Sequence, residues 1–403
     1  MLSRLEFSVG LLIWCGVLWD GFATIILPRT VRPMRRLSGR FYRWSWRLWA
    51  AAGRRIRDPQ SRLSFVAVYG PISIVLLLVL WAVLMIVAFA LIYHSLGPRF
   101  QAASGAVGFG TLLYTSASTF LTLGLGDVTS SDLIVRLFIL LEAGTGYIFL
   151  ALIITYMPVL DQAYGVREVG NLLIHSRVGH PPSAIKLLHR YSGTDRSEIL
   201  RGELREAERW MAEILQSHLS HPVLSFYRAQ HWGQSWLVSL TTVLDVCALL
   251  IAGGDGLLTA QARVTYRMGI RLLKDLTDAL NLKVDPRCRV RLSTADLPAL
   301  LAALKGSDLP LSLGPGAAIQ LLRLVRRYDV YLAALSELLV IPLPSWIQSR
   351  DARREKDGSE RSRARTDLPI HPTISQGGLA HPADGPVDNP PENQGHDTRS
   401  DKL

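Results

Sequence analysis

The sequence predicts an all-α membrane protein with a soluble helical half, and three observations predict it. Apolar residues gather in three runs long enough to cross a bilayer, which takes about 20 residues. A shorter apolar stretch dotted with small hydroxyl residues lies between the second and third runs and ends in Gly-x-Gly. Beyond residue 160, apolar positions recur at helical spacing among charged ones. The chain has 403 residues, 49% of them hydrophobic and 19% charged. Because the apolar residues are so unevenly spread, a membrane part joined to a soluble part is the natural division.

The first run covers residues 8–28 and carries one acid, Asp20. A cleavable leader is its alternative reading, but only Arg4 stands ahead of it and no small-x-small cleavage site is evident. The second run, residues 65–93, has no charge. The third, residues 133–160, contains Glu142. The net charge of +11 does not imply a nucleic-acid partner, because of where the charge sits. Eleven arginines fall between Arg29 and Arg62, with Asp58 the only acid among them. Loops this basic beside membrane helices stay in the cytoplasm. That rule puts the N-terminus outside, the loop 96–132 outside and everything after the third run in the cytoplasm of a multi-pass cell-membrane protein. Consistently, the outer loop holds one arginine, Arg99, and no lysine. Within the basic stretch Leu37, Phe41, Trp44 and Leu48 share a helical face, flanked by Arg36, Arg40, Arg43 and Arg47. Such a helix can lie in the headgroup layer with its arginines on anionic lipid, or serve as a topology signal alone.

Residues 108–121 read as a helix of about three turns, too short to span a bilayer. Thr122-Leu123-Gly124-Leu125-Gly126-Asp127 follows. Backbone that stops at membrane depth is tolerated only where protein buries it or where it lines a water-filled path. A dehydrated potassium ion needs a ring of oxygens in place of its water shell. Main-chain carbonyls supply such a ring if successive residues alternate between left- and right-handed conformations. Gly124 and Gly126 make that alternation cheap. Thr122 can add a hydroxyl at the inner end, Asp127 a negative charge at the outer mouth, and the short helix points its negative C-terminal end at the cation.

This order of helix, short helix, Gly-x-Gly-Asp and helix, over residues 63–160, resembles the pore-loop family of potassium channels, in its bacterial single-pore, two-transmembrane form. The resemblance implies that Thr122, Leu123, Gly124, Leu125, Gly126 and Asp127 form a selectivity filter. The Gly-Leu-Gly-Asp form is similar to variants in two-pore potassium channels. Leu123 and Leu125 depart from the family's valine and aromatic residue, and the aromatic normally holds the filter's width by packing on the pore helix. That departure leaves a weakly selective cation pore as an alternative to a potassium-selective one. With one signature per chain, a closed ring of oxygens calls for a homotetramer, with potassium as the permeant species and no other cofactor.

Further residues are singled out around this loop. Glu142 is a carboxylate inside a membrane segment, where such groups are paired or functional. Hydrogen bonds to Thr119 or Tyr114, in support of the filter, are its expected partners, and titration is the other possibility. Gly144, Gly146 and Pro158 are gate-hinge candidates, against close packing for the glycines and helix termination for the proline.

The domain order expected is an N-terminal membrane helix (1–28), a basic amphipathic linker (29–62), the channel unit (63–160), a cytosolic all-α bundle (161–349) and a disordered tail (350–403). The apolar stretch 235–252 contains Asp245 and is expected to be the buried centre of that bundle rather than a fourth span. The bundle itself looks like a helical region carried by bacterial single-pore channel-like proteins. Cys15, Cys247 and Cys288 are too scattered for a disulfide framework or a zinc site. His218, His221 and His231 lack a carboxylate or cysteine at matching spacing, so a helix end and loop is expected there rather than a metal site. No Gly-x-Gly-x-x-Gly follows a strand, no arginine-every-third helix precedes the pore unit, and no catalytic dyad or triad is legible. A Rossmann regulator, a voltage sensor and an enzyme are therefore not expected. A membrane sensor whose loop no longer conducts remains a reading from a different class.

Overall fold

A computed structural model describes residues 2–25, 36–102, 105–178, 182–191, 196–229, 234–305, 311 and 313–347. The chain is mostly helical, and four of its helices are long and apolar enough to cross a membrane. The expected disordered tail, 350–403, lies outside the described residues, as do Pro28, Arg29, Arg32, Arg35 and His231.

The membrane-type helices come first. Helix α1 is Leu2–Ile25. After it come α2 (Leu37–Arg55), α3 (Pro59–Ala67) and α4 (Tyr69–Ser95). α1 packs along α4, with Trp14 edge-on to Phe89 at 5.9 Å. Asp20 of α1 is buried between the two helices and the start of α2. It accepts the Ser38 backbone N–H at 3.0 Å, the Ser38 hydroxyl at 3.1 Å and the Trp81 indole N–H at 3.0 Å. A carboxylate at this depth is stable only because three donors meet it. It also caps the first turn of α2, whose own N-cap, Arg36, makes no side-chain cap.

α2 turns two faces to different uses. Trp44 and Leu48, on the expected apolar face, are exposed. Trp46 and Trp49 point inward and pack on Tyr69 at the head of α4. The Trp46 indole N–H reaches the Leu338 carbonyl at 2.9 Å and that of Trp49 the Phe65 carbonyl at 3.1 Å. The inward face was not part of the sequence expectation. Tryptophans two and five positions on from Trp44 sit off the leucine–arginine stripe, and nothing in the spacing says what they meet.

Beyond α4 the chain forms α5 (Phe109–Phe120) and then α6 (Leu133–Val178). Two short strands, β1 (Gln101–Ala102) and β2 (Val128–Thr129), pair antiparallel and close the loops around α5. An Arg99–Asp132 ion pair at 3.0 Å closes the same junction. α6 is 46 residues long and runs unbroken through Pro158. The expected helix end at Pro158 is therefore corrected. Proline forfeits one backbone hydrogen bond but does not stop a helix whose next turns are anchored, and here Leu160 and Arg167 are buried against neighbours. The boundary expected at residue 160 falls inside this helix.

The remaining helices form a bundle: α7 (Ala184–Arg190), α8 (Arg196–Ser220), α9 (Trp236–Gly253), α10 (Gly256–Ala279), α11 (Leu297–Leu304) and α12 (Pro315–Leu339). α9 is its axis. Every residue from Trp236 to Ile251 is buried, among α6, α7, α8, α10 and α12. A helix apolar all round belongs in such a centre. Its one acid, Asp245, is paired rather than neutralised by solvent. Arg291 grips it with two N–H groups at 2.6 and 3.0 Å, and the Tyr328 hydroxyl donates to it at 2.5 Å. Arg291 also donates to Asp329 from Nε at 2.9 Å and from its backbone N–H at 2.7 Å. One arginine thus pins the irregular segment before α11 to two helices of the core.

Bundle and membrane helices meet at a 3₁₀ turn, Pro222–Phe226. Arg167 of α6, 1% exposed, donates to the carbonyls of Leu224 at 2.7 Å and Tyr227 at 3.0 Å and pairs with Glu168. His218 of α8 lies 3.3 Å from the same guanidinium. The Tyr164 hydroxyl donates to the Arg228 carbonyl at 2.9 Å. Phe226 packs on Trp46 and Tyr69, so the turn touches α2, α4 and α6 together.

Candidate ion-conduction loop

The loop after α5 is built by that helix's own last turn. α5 ends at Phe120, with the Leu121 N–H still bonded to the Ala117 carbonyl. The Thr122 N–H then returns to the Thr119 carbonyl at 3.0 Å. Three following amides all turn back onto one residue. The Ser118 carbonyl accepts the Leu123 N–H at 2.8 Å and the Gly124 N–H at 3.4 Å, and the Ser118 hydroxyl accepts the Leu125 N–H at 3.4 Å. With its N–H groups drawn toward α5, a chain of alternating hand directs its carbonyls the other way.

That alternation is present. Thr122, Gly124 and Gly126 have φ of +59°, +59° and +75°, and the intervening Leu123 and Leu125 are not left-handed. Glycine takes such angles at little cost. Threonine does not: a β-branched residue at positive φ is strained by about 1–3 kcal/mol, and strain of this kind gathers at functional sites. Only two other described non-glycine residues share it, Asn281 and Val340. The left-handed threonine extends the alternation one residue beyond the two glycines expected to carry it. Thr122 donates its hydroxyl proton to the Leu121 carbonyl at 2.7 Å, and its oxygen remains an acceptor.

Residues 121–127 are all exposed in the single chain. Leu123 and Leu125 are 61% and 59% exposed, so neither side chain finds an intrachain packing partner. Asp127 lies at the far end of the loop. Tyr114, expected to support the loop, is not among the hydrogen-bond partners of Glu142, and feels the Asp127 carboxylate electrostatically instead. Thr119 contributes its carbonyl, not its side chain, to the turn.

Glu142 is fully buried behind α5, but its partners differ from those expected. Tyr93 of α4 donates its hydroxyl at 2.5 Å and Ser116 of α5 donates its own in a short bond. The correction is one of height along α5 rather than of helical face. Ser116 and Thr119 are a turn apart on α5, and the packing of α5 between α4 and α6 selects Ser116. The carboxylate therefore ties all three helices together. Tyr93, Ser116 and Ser118 are the functional residues that sequence reading missed. The only signal for the serines was the run of small hydroxyl side chains along α5, and Tyr93 offered none.

Of the hinge candidates, Gly146 lies directly under the C-terminus of α5. A β-carbon there would collide with the Phe120 carbonyl, so this glycine serves close packing. Gly144 has open space around it and lies on the exposed side of α6. Pro158 is exposed on the same helix, two residues before its anchoring at Leu160.

Among the described residues no group of three or more His, Cys, Asp or Glu converges on a point that could hold a metal ion. His218 is buried against Arg167 and Trp236, and His221 sits against Tyr156. Comparison with protein-family models, curated proteins and solved structures finds no match to this chain.

Proposed function

We propose that this chain is one subunit of a homotetrameric potassium-selective channel, conducting passively through a filter of main-chain oxygens. The observation that carries the reading is the alternation of backbone hand at Thr122, Gly124 and Gly126 combined with the amides of Leu123 to Leu125 drawn to Ser118. A loop of this shape presents several carbonyls in a row along one side. Four copies around an axis replace a potassium ion's hydration shell. α5 adds the negative end of its dipole on that axis, and Asp127 adds charge at the entrance. The exposure of Leu123 and Leu125 supports the tetramer, because neighbouring subunits are what would cover them.

In this reading the protein is a multi-pass cell-membrane protein with the N-terminus outside and the bundle in the cytoplasm. α2 lies against anionic headgroups, and neither nucleic acid nor catalysis is involved. Purified protein in liposomes is expected to carry potassium flux. Gly124→Ala, which forces a side chain onto a left-handed residue, is expected to abolish it. Flux unaffected by Gly124→Ala, or no flux at all, overturns the proposal, and the second result favours a non-conducting sensor.

One observation favours a variant reading, a weakly selective cation pore. Leu125 offers no aromatic ring to pack on α5 and is 59% exposed. Reversal potential under opposed potassium and sodium gradients separates the two readings.

A further inference from the structure

A cavity of about 220 Å³ lies where α1 ends, α2 begins and the bundle meets the membrane helices. We propose that it binds one anionic phospholipid, with the headgroup phosphate on the arginines of α2 and the upper acyl chain on the cavity's apolar wall. The proposal rests on the membrane reading of α1 and α4. It goes beyond a general attraction of α2 to headgroups, because it assigns particular residues and a stoichiometry.

Two chemistries line the cavity. Arg36, Arg43 and Arg47, all from α2, supply cations. Tyr42, Trp46, Val223, Phe226, Leu280 and Leu282 supply an apolar wall. None of the lining residues is acidic. Asp20 does not line the cavity; it accepts from Ser38 and Trp81, caps the first turn of α2 and offsets part of the charge of Arg36. Comparison with two larger cavities is instructive. The space between α6 and α8, about 350 Å³, is just as apolar but carries Arg177 and Arg209 together with Glu203, Glu206 and Glu213, and a third space, about 270 Å³, mixes Arg201 with Glu198 and Asp255. In both, the charges offset one another and select no ionic ligand. The cavity at α2 has cations alone, beside an apolar surface, at the level where the last turn of α1 supplies Ala23 and Thr24. A phosphate attached to a hydrocarbon chain satisfies both sides at once; a free anion satisfies one.

The walls also explain what such a lipid would join. Tyr156 belongs to α6, His221 and Pro222 to the 3₁₀ turn, Ala279 and Leu280 to the end of α10, and Leu338 to α12. A bound lipid touches the membrane helices, the surface helix and the bundle together.

The test uses the full chain, purified in a neutral detergent and titrated with phosphatidylglycerol, with retained lipid counted by native mass spectrometry. The wild-type chain is expected to retain one phosphatidylglycerol per subunit in preference to phosphatidylcholine. Arg43→Gln with Arg47→Gln is expected to weaken retention about thirtyfold, at roughly one factor of five per arginine. Arg40→Gln removes the same charge from the same helix but does not line the cavity, and is expected to leave retention unchanged. Ala279→Trp fills the space without altering charge and is expected to abolish retention, its thermal midpoint reporting that the fold survives. Inorganic phosphate and glycerol phosphate in excess are expected not to displace the lipid. Equal loss with Arg40→Gln reduces the effect to general surface attraction and overturns the proposal. So does displacement by free phosphate, or full retention by a folded Ala279→Trp chain. Loss of preference for anionic lipid together with intact potassium flux overturns the site while leaving the channel reading standing.

Discussion

Two helices of this chain are equally able, by length and composition, to cross a bilayer, yet they live in opposite surroundings. Of the most apolar stretch of α9, 89% is buried inside the molecule; of the corresponding stretch of α6, 17% is. Leu133, Leu137, Leu140, Tyr147 and Ile148 of α6 are all more than half exposed. α9 has a partner on every side within its own chain. α6 meets α5 near its start and α7, α8 and α9 near its end, and most of its apolar stretch stays exposed in the single chain. The difference teaches that hydropathy alone does not distinguish a membrane span from the centre of a bundle. What distinguishes them is the fate of their charged residues. Asp245 of α9 finds an arginine from a distant loop, whereas Glu142 of α6 finds only hydroxyl groups.

That contrast can be broken most strongly at Arg291. Arg291→Met leaves Asp245 and Asp329 facing each other without a cation in a closed interior. Removing one partner of a buried pair costs about 3–5 kcal/mol. The expected result is loss of the bundle's cooperative thermal transition in detergent. A melting curve unchanged by this substitution would mean that the bundle interior is wet and the contrast with α6 is false.

A smaller effect tests the membrane side. Gly146→Ala pushes α6 away from the Phe120 carbonyl, with an overpacking cost of about 1–3 kcal/mol. Gly144→Ala, with open space around it, is expected to cost less than about 0.5 kcal/mol. Potassium flux should fall for the first and persist for the second. The reverse order would restore Gly144 as a hinge and remove the packing role of Gly146.

The smallest effect sits at the junction of the two regions. Burial, and then the neighbouring Arg167 guanidinium, hold the His218 imidazole well below the usual histidine range. The unfolded chain therefore binds a proton near pH 6.5 that the folded chain refuses. Stability is full above that pH and declines as pH falls below it, by up to about 1.4 kcal/mol per pH unit. His218→Gln is expected to flatten this part of the profile, measured by denaturant titration between neutral and mildly acidic pH. A profile identical to that of the unsubstituted chain would place the responsible proton elsewhere.

Much of this was legible in the sequence, for identifiable reasons. The apolar runs, the short helix α5 and the buried α9 follow from length and periodicity, which are local properties. Gly124 and Gly126 were legible because glycine advertises positive φ. Thr122 at positive φ was not, because its side chain gives no such sign and only the amides gathered at Ser118 impose the angle. The partner of Glu142 on α5 was misassigned by one turn, because the height at which α5 seats between α4 and α6 is set by packing. Pro158 was misread as an end, since a proline in sequence does not report the anchoring of Leu160 and Arg167 beyond it. Arg291 carried no signal at all: a loop arginine 46 residues from its carboxylate is found only by folding.

The unbroken course of α6 has a mechanical consequence. At 1.5 Å per residue, its 46 residues make a rod about 69 Å long. One end stands beside the Thr122–Asp127 loop, and the other is clamped by Arg167 and Asn171 into the bundle, with the Asn171 side chain accepting the Ser239 hydroxyl at 2.6 Å. Between the two, the helix is continuous and its hydrogen bonding is interrupted only at Pro158, so a shift of the bundle at Arg167 has a single element along which to reach Glu142.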